Sequence, residues 1–293
     1  MKHVFVLVCA GLLALSACGG GSPPSGTPES VQALAGLAPP AETPEDQFAR
    51  APGLLARSDS LILSTYYADT DSPRIPPFRL LSECSGAQCT VTNSITGQSQ
   101  VVRISDLELT TDGTETLGTK HGVTLGATAT VVMGRDVTAF GAWMDHSGFW
   151  VQTQREVAAG ITIVARNGIV DGILTGARPA GSATWLGLMV GRPATGENRH
   201  DRLLGDAVLS YDIDAGALDA AFTGILNVDR NAAHSTTAVT FAGIPVGPEG
   251  TFEAGEAGNR IQGGFYGPGH AETAGVFERS NIVGAFGAKR SAQ

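Results

Sequence analysis

The clearest periodic signal in the chain lies in its last stretch, 259–290, where apolar and small residues recur at every second position: Ile261, Gly263 and Phe265, then Gly275 and Phe277, then Val283 and Ala285. A two-residue period sends successive side chains to opposite faces, so this is the pattern of strands with one buried face. Gly267-Pro268-Gly269 interrupts the run with a turn. Three short strands rich in Gly and Phe predict the closing strands of a small barrel, with Gly letting a strand coil tightly and Phe filling the interior. Upstream runs at 184–190, 203–211, 217–228, 237–242 and 251–254 bring the count to about eight, the number at which side chains just fill a barrel. The runs 203–211 and 217–228 read as a hairpin about the turn 212–216. In its second arm Leu218, Ala220 and Phe222 take one face while Asp219, Ala221 and Thr223 take the other. A filled interior with little cavity is expected.

Between 56 and 178 the alternation is looser and run lengths vary. Strand-like runs occur at 61–66, 78–81, 90–93, 100–104, 123–132, 137–143, 149–154 and 161–164, separated by Gly and Asp or Asn clusters, which predicts a flattened sheet and not a closed barrel. Thr43-Pro44-Glu45-Asp46 has the cap, first-turn proline and acids of a helix start and predicts a short helix to about Leu55. Composition agrees with strands: Gly is 39 of 293 residues and charged residues are only 16%. The fold class expected is therefore all-β, a sheet domain at 44–178 followed by an eight-stranded antiparallel β-barrel at 179–293, with the boundary near 177–182.

The start of the chain carries a different signal. Met1-Lys2-His3 precedes an apolar run, 4–15, too brief to span a bilayer, so 1–17 reads as a signal peptide. Leu15-Ser16-Ala17-Cys18-Gly19 resembles the lipobox of bacterial lipoproteins, which implies lipid attachment at Cys18; an ordinary export signal ending in Cys is the alternative. Several acyl chains at about 0.8 kcal/mol per buried methylene give durable anchoring. Gly and not Asp after Cys18 implies sorting to the outer membrane. Residues 18–43 are dominated by Gly, Ser, Pro and small residues that cannot bury enough surface to order themselves, and read as a flexible tether.

The C-terminal residues also carry a family resemblance. Gly263-Gly264-Phe265-Tyr266-Gly267-Pro268, then Ala271-Glu272, Ala274-Gly275 and Phe277, then Gly284-Ala285-Phe286-Gly287-Ala288-Lys289-Arg290, resemble the terminal barrel signature of transferrin-binding-protein-B-like lipoproteins. The motifs bear on 181–293 and each occurs once, which implies a single lobe. The resemblance implies that 44–178 is the handle domain preceding the barrel. It also implies a non-enzymatic binding lobe, lipid-anchored in the outer membrane and exposed at the surface. The implied partner is an extracellular protein, such as an iron or haem carrier or a complement regulator.

Charge and candidate chemistry refine this picture. The net charge of −9 gives no electrostatic attraction to nucleic acid or to an anionic membrane. Cys84 and Cys89 flank a Gly-containing turn between strand-like runs, a spacing that suits a hairpin disulfide in an oxidising compartment. A metal or redox pair is the alternative, but no second Cys pair or nearby His supports it. Asp145-His146-Ser147-Gly148 holds three triad-type residues, but neighbours in sequence cannot converge as a relay, and a hairpin turn is the better reading. His270 reads as another turn residue. Trp143, Met144, Phe149 and Trp150 lie on both arms of that hairpin, where they serve either as partner-binding anchors or as core; Trp185 reads as core. No catalytic residue, cofactor or metal is expected, and the chain is expected to be monomeric. The alternatives are a small-molecule carrier or lipid-modifying barrel with an open mouth, and a structural or adhesive envelope protein.

Overall fold

The computed structural model describes residues 59–68, 78–85, 88–93, 96–103, 115–132, 135–158, 161–196 and 198–291. The segments expected to be a signal peptide (1–17), a lipid-bearing Cys18 and tether (18–43) and a helix to Leu55 lie outside the described residues.

Among the described residues the structure is all-β, with a single short 3-10 turn at Pro268–His270. Nine strands form the first sheet: β1 (Asp59–Ala68), β2 (Phe78–Ser85), β3 (Gln88–Asn93), β4 (Ser99–Arg103), β5 (Glu115–Lys120), β6 (Val123–Val132), β7 (Arg135–Trp143), β8 (Ser147–Ala158) and β9 (Ile161–Gly172). Their spatial order is β4-β3-β2-β1-β9-β8-β7-β6-β5, so two antiparallel meanders meet where the first strand pairs with the last. Strand β5 carries no clear apolar alternation and is missed by the sequence reading. It holds its place through Leu117, which is buried.

The second half continues with β10 (Ala183–Pro193), β11 (Leu203–Asp212), β12 (Ala217–Asn227), the two-residue β13 (Ala232–Ala233), β14 (Ala238–Pro245), β15 (Thr251–Glu256), β16 (Asn259–Tyr266), β17 (Glu272–Arg279) and β18 (Ile282–Arg290). Strand β10 pairs with both β11 and β18, so the first and last strands of this half join. The free ends of the row, β14 and β15, meet in one bridge between Val246 and Phe252, and the N–H of Gly247 donates to the carbonyl of Thr251 at 2.8 Å. The row thereby curls around a core of Trp185, Met189, Phe222, Phe252, Phe265, Phe277 and Phe286. Ring centroids lie 4.6 Å apart for Phe222 and Phe277, 5.1 Å for Phe222 and Phe286, and 5.0 Å for Trp185 and Phe265. Contacts of this kind between rings add to the stabilisation from area burial alone.

Glycines make room for these rings. In the ladder of β17 and β18, Phe277 lies opposite Gly284 and Phe286 lies opposite Gly275. A methyl at Gly284 would sit 2.3 Å from the Phe277 ring, and one at Gly275 would sit 2.6 Å from the Phe286 ring. Each Phe thus crosses over a glycine on the neighbouring strand, a cross-strand pairing that offsets what a glycine costs in a strand.

One detail of the alternation is corrected. The sequence reading puts Val283 and Ala285 on the buried face of the last strand, whereas the barrel is filled from Ile282, Phe286 and Ala288. Ala285 belongs instead to a second apolar cluster outside the barrel, shared with the first sheet. Both faces of β16, β17 and β18 are buried because each strand has a barrel core on one side and the first sheet on the other.

Candidate functional site

The junction between the two sheets is where the chain concentrates its unusual residues. Leu188, Val190, Ala274, Val276 and Ala285 on the outer face of the barrel pack with Phe140, Phe149, Val151 and Val170 of the first sheet. Small residues on β18 allow the approach. A methyl at Gly287 would sit 2.3 Å from Cδ1 of Phe149, so that ring lies almost on the backbone of the last strand.

Trp143, Met144, Phe149 and Trp150, considered as partner anchors, are all buried. The rings of Trp143 and Trp150 lie 5.2 Å apart, and Phe149 and Met144 both lean on Gly287. Met144 and Phe149 spend their surface on the junction, whereas Trp143 and Trp150 alternate with them and pack against each other on the opposite face of the hairpin, outside the junction cluster. Trp185 is fully buried in the barrel, and its indole N–H donates to the carbonyl of His270 at 2.8 Å.

Asp145 and His146 form the turn between β7 and β8, closed by a 2.6 Å bond from the N–H of Met144 to the carbonyl of Ser147. The turn is gripped from the barrel by Glu272, the first residue of β17. Oε1 of Glu272 accepts the N–H of Asp145 at 2.8 Å, while Oε2 accepts the N–H of His146 at 3.1 Å and the hydroxyl of Ser147 at 2.8 Å. The hydroxyl that might have paired with a histidine base is therefore committed to a carboxylate. Burial pushes the Glu272 carboxyl above its ordinary pKa, opposed by these hydrogen bonds and by His146. Two more exposed ion pairs flank the grip, Lys289 to Asp145 at 3.1 Å and Lys120 to Asp206 at 2.5 Å. At such exposure each adds little stability.

Residues 173–178 then cross one end of the barrel. Leu174 bridges to Tyr266, the N–H of Thr175 donates to the carbonyl of Phe265 at 2.9 Å, and the N–H of Arg178 donates to the carbonyl of Pro248 at 3.2 Å. His270 sits in the turn before β17 with its Nε2 2.8 Å from the carbonyl of Ala177. Between the turn at Asp145 and His146, this crossing segment and the turn at 267–270 lies an open cleft of about 510 Å³, lined by Asp145, His146, Ile173, Leu174, Pro268 and His270 among others. It lies outside the ring-filled barrel core. Among the described residues, no three His, Cys, Asp or Glu side chains converge in a way that could hold a metal ion. Cys84 and Cys89 fall directly opposite each other in the ladder of β2 and β3.

The hairpin turn at Asp145 was legible from its residue types. Its carboxylate partner Glu272, more than a hundred residues away, stands among the residues that carry the resemblance, but nothing in the sequence tied it to this turn.

No protein-family model matches the chain, and no curated protein matches it. Solved structures similar at low identity include the following three. A double mutant of the vaccine antigen transferrin-binding protein B from Haemophilus parasuis is 14% identical over 73% of this chain and 54% of its own, with a TM-score of 0.40. The isotype 1 transferrin-binding protein B of serogroup B Neisseria meningitidis is 15% identical over 79% of this chain and 44% of its own, with a TM-score of 0.35. The N-lobe of lactoferrin-binding protein B from Moraxella bovis is 12% identical over 79% of this chain and 99% of its own, with a TM-score of 0.33. The chain spans about half the length of the transferrin-binding proteins it matches. Likeness at this level says nothing about a shared ligand.

Proposed function

We propose that this chain is a non-enzymatic binding lobe of the transferrin-binding-protein-B-like kind, tethered to the outer membrane by lipid on Cys18 and displayed at the cell surface to an extracellular protein. The observation that carries the reading is the junction. A barrel filled by its own rings is fixed to a broad sheet by the very motifs that carry the sequence resemblance. Phe265 fills the barrel, Tyr266 bridges to Leu174, and Gly287 receives Phe149. These residues hold two bodies in one orientation, which suits a scaffold that works through its outer surface. The packed barrel core does not favour the alternative of a small-molecule carrier.

In this reading 44–178 is the handle domain and 179–293 the barrel domain. The partner is an extracellular protein, with iron- or haem-carrying proteins the first to test. Cys84 and Cys89 form a disulfide, an assignment that rests on their spacing and on their facing positions in the ladder.

The test uses the tagged full chain carrying Cys18→Ala, which cannot be lipidated. Partners are captured from the medium in which the cells live, and each is then titrated against the purified chain, with haem titrated in parallel. Saturable binding of an extracellular protein is expected. Failure to find any such protein, or saturable uptake of a small apolar ligand instead, would remove the proposal.

A further inference from the structure

The barrel is not laddered all the way round. Among the described residues β14 pairs only with β12 and β15 only with β16, and the two meet in the one bridge of Val246 and Phe252 beside their connecting turn. Away from that turn, β14 and residues 253–256 of β15 run on with no ladder between them. The chain itself causes the parting. At Gly243 the backbone takes φ 63, the register of β14 on β12 slips between Leu218 and Ala220, and the N–H of Gly243 donates to the Asp219 carboxylate at 2.7 Å. A bulge of this kind bends its strand and ends regular pairing.

An open strand edge presents a row of backbone N–H and C=O groups, and folded proteins blunt such an edge with charge or proline. Over 238–242 β14 has neither: Ala238, Thr240 and Ala242 are exposed and uncharged, while Val239 and Phe241 point into the core. One backbone carbonyl of this strand already accepts from outside the ladder. The guanidinium of Arg279, at the end of β17, donates to the carbonyl of Thr240 and lies 4.8 Å from the centroid of the Phe241 ring. On the facing strand the outward side chain is Glu253, half exposed and held by Arg260 only at 3.9 Å, with Glu256 exposed at the strand end and Glu249 exposed in the turn. The open edge is thus neutral on one side of the seam and acidic on the other.

We propose that this seam takes a polypeptide segment in extended conformation, paired as an added strand along β14, with Lys or Arg on its outward side opposite Glu253 and apolar residues alternating inward. Backbone hydrogen bonds supply the pairing and the alternate side chains the selectivity. The carboxylates favour a basic strand and oppose a second copy of the same edge, which would set Glu253 and Glu256 against like charge. Arg279 gives up the Thr240 carbonyl to an incoming N–H. The seam belongs to the barrel alone, so the inference does not rest on the binding-lobe reading, and either can fail without the other.

The probe is a fluorescent peptide of alternating Lys and Val, titrated into the Cys18→Ala full chain and followed by anisotropy and by the amide NMR shifts of β14 and β15. Saturable binding is expected, with the largest shifts at 238–242. Methylating every nitrogen of the peptide backbone removes its donors and keeps its charge, and should weaken affinity by about tenfold or more, the loss of one or two hydrogen bonds. Glu253→Lys, at an exposed position, should weaken it by about twofold to fivefold at low salt. No saturable binding, binding that tolerates the methylated backbone, or shifts confined to other strands would overturn the proposal. So would a peptide-free chain that sediments as a dimer joined through these same amides, which would give the seam to a second copy.

Discussion

Ser147 and Glu272 lie 125 residues apart in the chain, yet the Ser147 hydroxyl donates to the Glu272 carboxylate at 2.8 Å across the junction. That bond and the two backbone N–H groups beside it make Glu272 the acceptor for a whole turn of the first sheet. Glu272→Ala leaves buried donors without an acceptor and should cost roughly 2–5 kcal/mol of stability, whereas Ser147→Ala should cost about 1 kcal/mol. Urea unfolding midpoints of the two variants check the order. Equal and negligible losses would mean that the contact is incidental.

Glu272 also predicts a pH dependence. Its folded pKa is raised above the ordinary carboxylate value by burial, so the folded state takes up a proton more readily than the unfolded one. The contribution of this group is therefore fully present below the unfolded pKa and is lost as pH rises through the folded value. The stability of wild type minus that of Glu272→Gln should fall as pH rises from the unfolded carboxylate range upward, then level off. Paired denaturation curves across that window measure it; a wild type that gains stability relative to the variant as pH rises contradicts the assignment.

Backbone proximity at the junction predicts intolerance to small additions. A methyl at Gly168 would lie 2.3 Å from the carbonyl oxygen of Gly284, with backbone on both sides and no flexible side chain to yield. Gly168→Ala should destabilise by about 1–3 kcal/mol, while Ile213→Ser, at a position 43% exposed in a barrel turn, should stay within about 0.5 kcal/mol. Calorimetric midpoints of both variants decide the point.

The cysteine pair predicts a simple labelling result. Cys84 and Cys89 in the chain purified from an oxidising compartment should resist thiol alkylation after unfolding until a reductant is added. Because the bridge closes a very short loop, Cys84→Ser with Cys89→Ser should lower stability toward the bottom of the roughly 0–5 kcal/mol range seen for disulfides. Immediate alkylation of both residues would show that no bridge forms.

How far the sequence discloses this structure depends on which forces are local. The barrel was readable because its strands alternate against a single apolar core, as Leu218, Ala220 and Phe222 do, and β10 to β12 and β14 to β18 fall close to their expected places. The junction was not readable in the same way. Strands with two buried faces lose alternation, so Ala274, Val276 and Ala285 look like filler until the sheet that covers them is known. Glu272, Arg166 and Arg192 carry charge into the interior through partners distant in sequence, which no local pattern announces. The hairpin 143–150 shows the converse: its aromatic composition suits both a core and an interface, and the position of the barrel makes core of Phe149 and Met144 on one face while Trp143 and Trp150 lie on the other.

The account rests on barrel and sheet behaving as one body. Native-state hydrogen exchange, followed separately on amides of β8 and β9 and on those of β17 and β18, tests this most directly. Cooperative coupling predicts similar opening free energies on both sides of the junction, lowered together by Glu272→Ala. Protection that differs widely between the two sides, with Glu272→Ala affecting only one of them, would contradict it.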